Sequence, residues 1–212
     1  MKATIVYDNT AYLKELEPDW GFSCLVEVEN TPKILFDTGT NGTILLSNME
    51  KLHIDPSSIE EIFISHAHFD HTGGLSDLLK VNKTAKIYVP PSFSGPSGRE
   101  VITIQGPTKI HDNVFSTGEL DGIEQSMAVK TEKGIVLLVG CSHPRMTHIL
   151  GTAAQFGKVY AIIGGLHGFN EYELFKEMNV ICATHCTQHK TEIKSLYPEK
   201  YVEGGAGKVI TL

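Results

Sequence analysis

His66-Ala67-His68-Phe69-Asp70-His71 packs four metal-binding side chains into six residues, directly after the apolar run Ile62-Phe63-Ile64-Ser65. That run reads as a short buried strand. In an extended segment residues i and i+2 project to the same side, so His66 and His68 can converge on one cation. The chain then turns at Asp70 and His71, which can face a second cation nearby. Neutral imidazole and carboxylate donors suit zinc, and also iron or manganese. Burying several imidazoles beside a carboxylate is costly unless a cation organises them. The competing reading is a loop of surface histidines.

Other strands reach the same kind of punctuation. Asp37-Thr38-Gly39 follows Lys33-Ile34-Leu35-Phe36, Gly140-Cys141-Ser142-His143 follows Ile135 to Val139, and Thr184-His185-Cys186 follows Val180-Ile181-Cys182. Loops carried on rigid strand ends are where functional side chains converge. Strands are expected near 2–7, 22–28, 33–37, 62–65, 86–90, 113–117, 126–131, 134–139, 158–163, 179–183 and 207–211. Helices are expected near 41–52, 73–80, 145–156, 171–178 and 188–196. Continuous apolar runs such as Ile135-Val136-Leu137-Leu138-Val139 imply strands covered on both faces. Residues 91–110, rich in proline and glycine, read as a mobile loop that either covers the site or merely connects.

These elements, in this order, resemble the metallo-β-lactamase superfamily from about residue 5 to residue 212. Within it the chain is most similar to the small branch that includes the archaeal dihydropterin–ribosylaminobenzene-phosphate synthase and related metal-dependent hydrolases. The marks of that branch are Asp8-Asn9-Thr10, Asp19-Trp20-Gly21-Phe22-Ser23, Ser65-His66, Thr72-Gly73-Gly74-Leu75, Gly164-Gly165-Leu166-His167 and His185-Cys186-Thr187. The resemblance implies an α/β fold, a four-layer αββα sandwich of two mixed sheets, as one domain over residues 1–212. It assigns His66, His68 and His143 to a first metal, and Asp70, His71 and His185 to a second. Zinc is expected, as one or two ions, with iron or manganese as alternatives.

The resemblance gives Asp37 the task of holding the loops around the metals and orienting an imidazole; it also suits a plain turn. Many two-metal members carry a bridging aspartate between the third and last histidines. No aspartate occurs from His143 to His185 here, which weakens the second metal. His167, near the vacated position, is a candidate catalytic acid or base, substrate-binding residue or extra ligand, against a purely structural histidine. Asp70 is a candidate both to hold an ion and to act on the attacking water. Asn9 either reaches substrate or Asp37, or is a turn residue. His53, His111, His148 and His189 are expected to face solvent.

The composition supports these readings. With 212 residues and 41% apolar composition the chain can bury a substantial core unaided by disulfides. Cys24, Cys141, Cys182 and Cys186 form no CxxC pair, so buried thiols are expected. Cys141 and Cys186, within two residues of proposed ligands, are candidates to line the site or bind metal. Net charge −7, from 18 basic and 25 acidic residues, argues against a nucleic-acid partner. No run approaches a membrane span, and Met1 to Asp8 lacks a signal-peptide apolar region, so a cytoplasmic location is expected.

The expected function is a metal-dependent hydrolase, using metal-activated water on a small, anionic, phosphate- or ester-containing molecule. The amino end of the helix near 73–80 would favour that anion. The alternatives are the pterin–ribosylaminobenzene-phosphate synthase type of condensation, and a metal-binding or sensing module without turnover. A diiron redox role is disfavoured, because His68 stands where such proteins carry glutamate.

Overall fold

A computed structural model describes residues 1–212. In chain order its elements are β1 (Lys2–Tyr7), β2 (Ser23–Glu27), β3 (Ile34–Phe36), α1 (Gly42–Lys51), β4 (Glu61–Phe63), α2 (Phe69–Thr72), α3 (Leu75–Val81), β5 (Lys86–Val89), β6 (Val101–Thr103), β7 (Thr108–His111) and β8 (Val114–Ser116). There follow β9 (Met127–Thr131), β10 (Gly134–Val139), α4 (Met146–Ala153), β11 (Val159–Gly165), β12 (Val180–Thr184), α5 (Lys190–Leu196) and β13 (Val209–Thr211). One sheet has the order β13-β1-β2-β3-β4-β5-β6, the other β12-β11-β10-β9-β8-β7. Both are mixed: β3, β4, β5 and β6 run parallel, as do β10, β11 and β12, and the remaining pairs are antiparallel.

The layering follows from side-chain alternation. Ile34 and Phe36 of β3 point between the sheets, while Leu35 packs with Leu45 and Met49 of α1. In β10, Val136 and Leu138 face the other sheet, and Ile135, Leu137 and Val139 pack against Ile149 of α4 and Ile193 of α5. Alternate residues thus serve two cores, which is why these strands read as unbroken apolar runs. Phe36 and Phe63 stack at 5.5 Å between the sheets. Each such fully buried side chain contributes about 1.5–3 kcal/mol relative to exposure. This is the expected αββα sandwich.

Other local expectations need correction. The helix expected near 73–80 forms as α3, with the separate short α2 ahead of it. Both helices are short, so the argument for an anion at a helix amino end lapses. The helix expected near 171–178 is only a 3-10 turn, Tyr172–Phe175. So short a segment does not recover the cost of helix nucleation.

Residues 91–110 contain β6, the last strand of the larger sheet, and most of β7, the last strand of the other. Arg99 Nη2 donates to the carbonyls of Leu79 and Asn82 at 2.6 and 3.0 Å, and Ser92 N donates to Glu119 at 2.8 Å, so the segment is anchored. His111 is only half exposed and pairs at 2.7 Å with Glu61, a buried carboxylate. His189 is half-buried too, whereas His53 and His148 are exposed. No helix is long and apolar enough to cross a membrane.

Candidate metal centre

The ends of β3, β4, β10, β11 and β12 lead into the loops bearing Asp37, His66 to His71, Cys141 to His143, His167 and His185. Within each sheet these strands run parallel, so their carboxyl ends open on one rim. The backbone there is held in unusual conformations. Asp37, Ser142, His167 and His185 all have positive φ, between 44° and 59°. Non-glycine residues occupy that region at a cost and cluster where function requires it.

Two groups of donor atoms rich in the expected ligands meet at this rim, and a third, Cys141, His167 and Cys186, shares the Cys141 sulfur. His66, His68 and His143 form one, with all donors within 4.8 Å of one another. Their ring centroids are 4.6 to 4.8 Å apart. Asp70, His71, His185 and Cys141 form the other under the same limit. In it, Asp70 Oδ2 lies 3.3 Å from His185 Nε2 and 3.8 Å from His71 Nε2, and Cys141 Sγ lies 3.2 Å from His71 Nε2. His66 and His71 are adjacent, with centroids 4.2 Å apart, so the two groups abut. The six histidine and aspartate residues expected to converge do so.

These side chains fit a divalent cation on a specific observation. Nε2 of His66, His143 and His185 is buried and makes no hydrogen bond. Each such orphan costs about 1–3 kcal/mol unless something binds it. The opposite nitrogens of His66 and His185 are engaged, His66 Nδ1 with Ser65 Oγ at 2.9 Å and His185 Nδ1 with Asn9 Oδ1 at 2.9 Å, and His71 is likewise held through Nδ1 by Asp37 Oδ2 at 2.7 Å. Fixing one ring nitrogen aims the other at the centre, the arrangement that metal-ligating imidazoles require.

Electrostatics agree with that fit. Burial, reinforced by the neighbouring imidazoles, depresses His66 far below the usual histidine range. Burial and the adjacent His68 and His167 bring His143 down to about 4. Both rings are therefore neutral at physiological pH, as ligation demands. Burial would raise Asp70, but the contact with His185 and the nearby His71 outweigh it and hold the carboxylate well below its usual range. His71 shifts the other way: Asp37 overcomes the effect of burial and raises it.

Asp37 is fully buried and accepts from Ser65 N at 2.7 Å and Ser65 Oγ at 2.7 Å besides holding His71. Asparagine at this position would present an amide donor to a neighbour that needs an acceptor. Asp37→Asn is expected to weaken metal binding about 10- to 100-fold, measured by competition with a chromophoric chelator. An unchanged affinity would leave Asp37 a turn residue only.

Asn9 takes a different place from the one expected. Its Oδ1 meets His185 Nδ1 and accepts from Gly21 N at 3.0 Å, and its Nδ2 donates to the His185 carbonyl at 3.2 Å. The side chain is thus engaged around His185 rather than reaching Asp37. His167 is exposed beside the first group, 5.2 Å from the His143 ring. It also lies within 4.8 Å of the sulfurs of Cys141 and Cys186.

Two carboxylates had no role in the sequence reading. Glu124, buried, accepts through Oε1 from the N–H groups of Gly140, Cys141 and Ser142 at 2.9 to 3.1 Å, and through Oε2 from His143 N at 2.9 Å. Burial raises its carboxyl despite these donors. Asp8, also buried, accepts from His185 N at 2.9 Å and from the Thr184 hydroxyl. Each organises a ligand loop distant in sequence. For Asp8 the prior signals were its place among the marks of the branch and the apolar Val6-Tyr7 before it; for Glu124 there was only the adjacent Ile123.

Comparison with known proteins agrees with this architecture. A family model described as the metallo-beta-lactamase superfamily matches residues 19–166. The 7,8-dihydropterin-6-methyl-4-(beta-D-ribofuranosyl)-aminobenzene-5'-phosphate synthase of Methanocaldococcus jannaschii is 30% identical, covering 98% of this chain and 95% of that protein. Tm1679, described as a metal-dependent hydrolase of the β-lactamase superfamily, superposes with a TM-score of 0.79 at 24% identity, covering 100% of this chain and 99% of that one. Zn(2+)-bound PqqB from Methylobacterium extorquens superposes with a TM-score of 0.68 at 11% identity, each chain fully covered. Sandwich, donor-bearing rim and family match coincide: this chain belongs to the metallo-β-lactamase superfamily.

Proposed function

We propose that this protein is a metal-dependent hydrolase of a small, phosphate-bearing molecule, with His66, His68 and His143 holding one ion and Asp70, His71 and His185 a second. The observation that carries the reading is the convergence of three buried, unpartnered imidazole nitrogens beside an ionised carboxylate. Zinc, or iron or manganese, would supply Lewis acidity there and a solvent nucleophile at neutral pH.

The chain's own groups complete the chemistry. Trp20 Nε1–H donates to Asp70 Oδ2 at 2.9 Å and would steady that carboxylate as a ligand of the second ion. Beside His143 a cleft of about 250 Å³ is lined by Ser142, Arg145, His167 and Asn170 among others. Arg145 there matches a phosphoryl group, and the exposed His167 imidazole is placed to donate a proton to a leaving oxygen.

A condensation of the synthase type is the second reading, favoured by the full-length similarity to the Methanocaldococcus jannaschii enzyme. That alignment runs over 281 positions against 212 residues here, so the relative carries insertions that this chain lacks.

The test is metal removal. Dialysis against a chelator is expected to abolish turnover of bis(p-nitrophenyl) phosphate or p-nitrophenyl phosphate, with recovery on adding zinc, iron(II) or manganese(II). Elemental analysis is expected to find one or two ions per chain. A chain that binds no ion, or turnover indifferent to chelation, refutes the proposal. Product masses after incubation with a dihydropterin and an aminobenzene ribosyl phosphate separate the second reading from the first.

A further inference from the structure

The two donor groups differ in kind. The first offers three imidazoles, with His68 exposed and His143 half exposed; the second offers four donors, three of them on buried residues, and one of the four is sulfur. We infer that Cys141 is a thiolate ligand that closes the second site with four protein donors, leaving the first as the site with an open position for solvent and substrate. This rests on the metal-dependent reading above and deepens it.

Three observations support the assignment. Around a tetrahedral zinc, bonds of roughly 2.0–2.3 Å put neighbouring donor atoms roughly 3.3–3.8 Å apart. Asp70 to His185 at 3.3 Å and Asp70 to His71 at 3.8 Å fall within that range, and Cys141 Sγ to His71 Nε2 at 3.2 Å lies just below it. The sulfur is also held in place: Cys141 is 3% exposed, and Glu124 grips its N–H and those of its neighbours. Finally, two positions in the stretch where a bridging aspartate would be sought admit no side chain. Gly164 and Gly165 pass so close to the Val139 and Gly140 carbonyls that a side chain at either would collide with them. Sulfur from Cys141 restores the missing anionic donor from a different strand.

On binding, the Cys141 S–H bond breaks, its proton goes to solvent, and a metal–sulfur bond forms. A closed site holding a divalent ion with one carboxylate, one thiolate and two neutral imidazoles has no net charge. Three neutral imidazoles leave the other ion's charge of +2 uncompensated. The open site is therefore the one that draws an anion, and it is the one beside Arg145 and His167. Under this assignment the missing aspartate does not weaken the second site.

The test uses the full chain, stripped of metal and reloaded with cobalt(II). Wild type is expected to take up two ions and to show the near-ultraviolet sulfur-to-cobalt charge-transfer band. Cys141→Ser is expected to lose the band and to bind the second cobalt about a hundredfold more weakly, with the first unchanged. Cys141→Asp is expected to regain the second ion without the band, which also guards against a serine variant that misfolds.

Cys186 lies 3.3 Å from the Cys141 sulfur and is the rival source of the band; Cys186→Ser is expected to keep it. A band that survives in Cys141→Ser, or disappears in Cys186→Ser, overturns the inference. So does stoichiometric cobalt without any band in wild type, which leaves the metal-dependent reading standing. A wild-type chain that takes up no cobalt at all overturns both.

Discussion

Alanine at His68 is expected to lower turnover of bis(p-nitrophenyl) phosphate by roughly a thousandfold or more, because the open site is left with two protein donors instead of three. The same change is expected to shift the unfolding midpoint of the metal-free protein by no more than about 2 °C. His68 is exposed while its partner His66 is fully buried, so truncating it opens no cavity in the core. Activity and stability therefore separate at this position, and thermal denaturation run beside the kinetic assay reads both. Comparable losses in the two would make His68 a structural residue; retained turnover would remove it from the site. Retained metal at the second group, measured by elemental analysis, is expected.

The second large effect is on stability. Glu124→Ala leaves four backbone N–H groups, those of residues 140 to 143, without their acceptor. Burial forbids easy replacement by water, and breaking such a buried charged network costs on the order of 3–5 kcal/mol. Glu124→Gln keeps one acceptor oxygen but turns an amide donor toward a backbone donor, so its loss is expected to lie between wild type and alanine. Urea unfolding measures both, with a lower midpoint at constant slope. A cost below about 1 kcal/mol would show that the loop carrying Cys141 and His143 holds its shape without the clamp.

Much of this architecture is legible from residues alone. The donor-rich hexapeptide after an apolar run, and the histidines after β10 and β12, announce both the rim and its donors. The unbroken apolar run of β10 announces a strand covered on both faces. The roles of Glu124 and Asp8 were not legible, since each acts on backbone N–H groups far along the chain, and such a contact leaves no periodic trace. Nor was the short α2 ahead of α3. β6 and β7 hid because each is short, lies at a sheet edge and has prolines and glycines nearby. Cys141 stood out only as a neighbour of His143; its distance from His71, seventy residues earlier, needed three dimensions.

Each donor group draws on both sheets. His66 and His68 leave β4 of one and His143 leaves β10 of the other; Asp70 and His71 face Cys141 and His185 in the same way. Bound ions would therefore act as clasps across one rim of the sandwich, adding to the polar ties, His111 with Glu61 and Asp8 with His185, that already cross from sheet to sheet. Stripping them would leave that edge, where substrate must enter, fastened by side-chain and backbone contacts only.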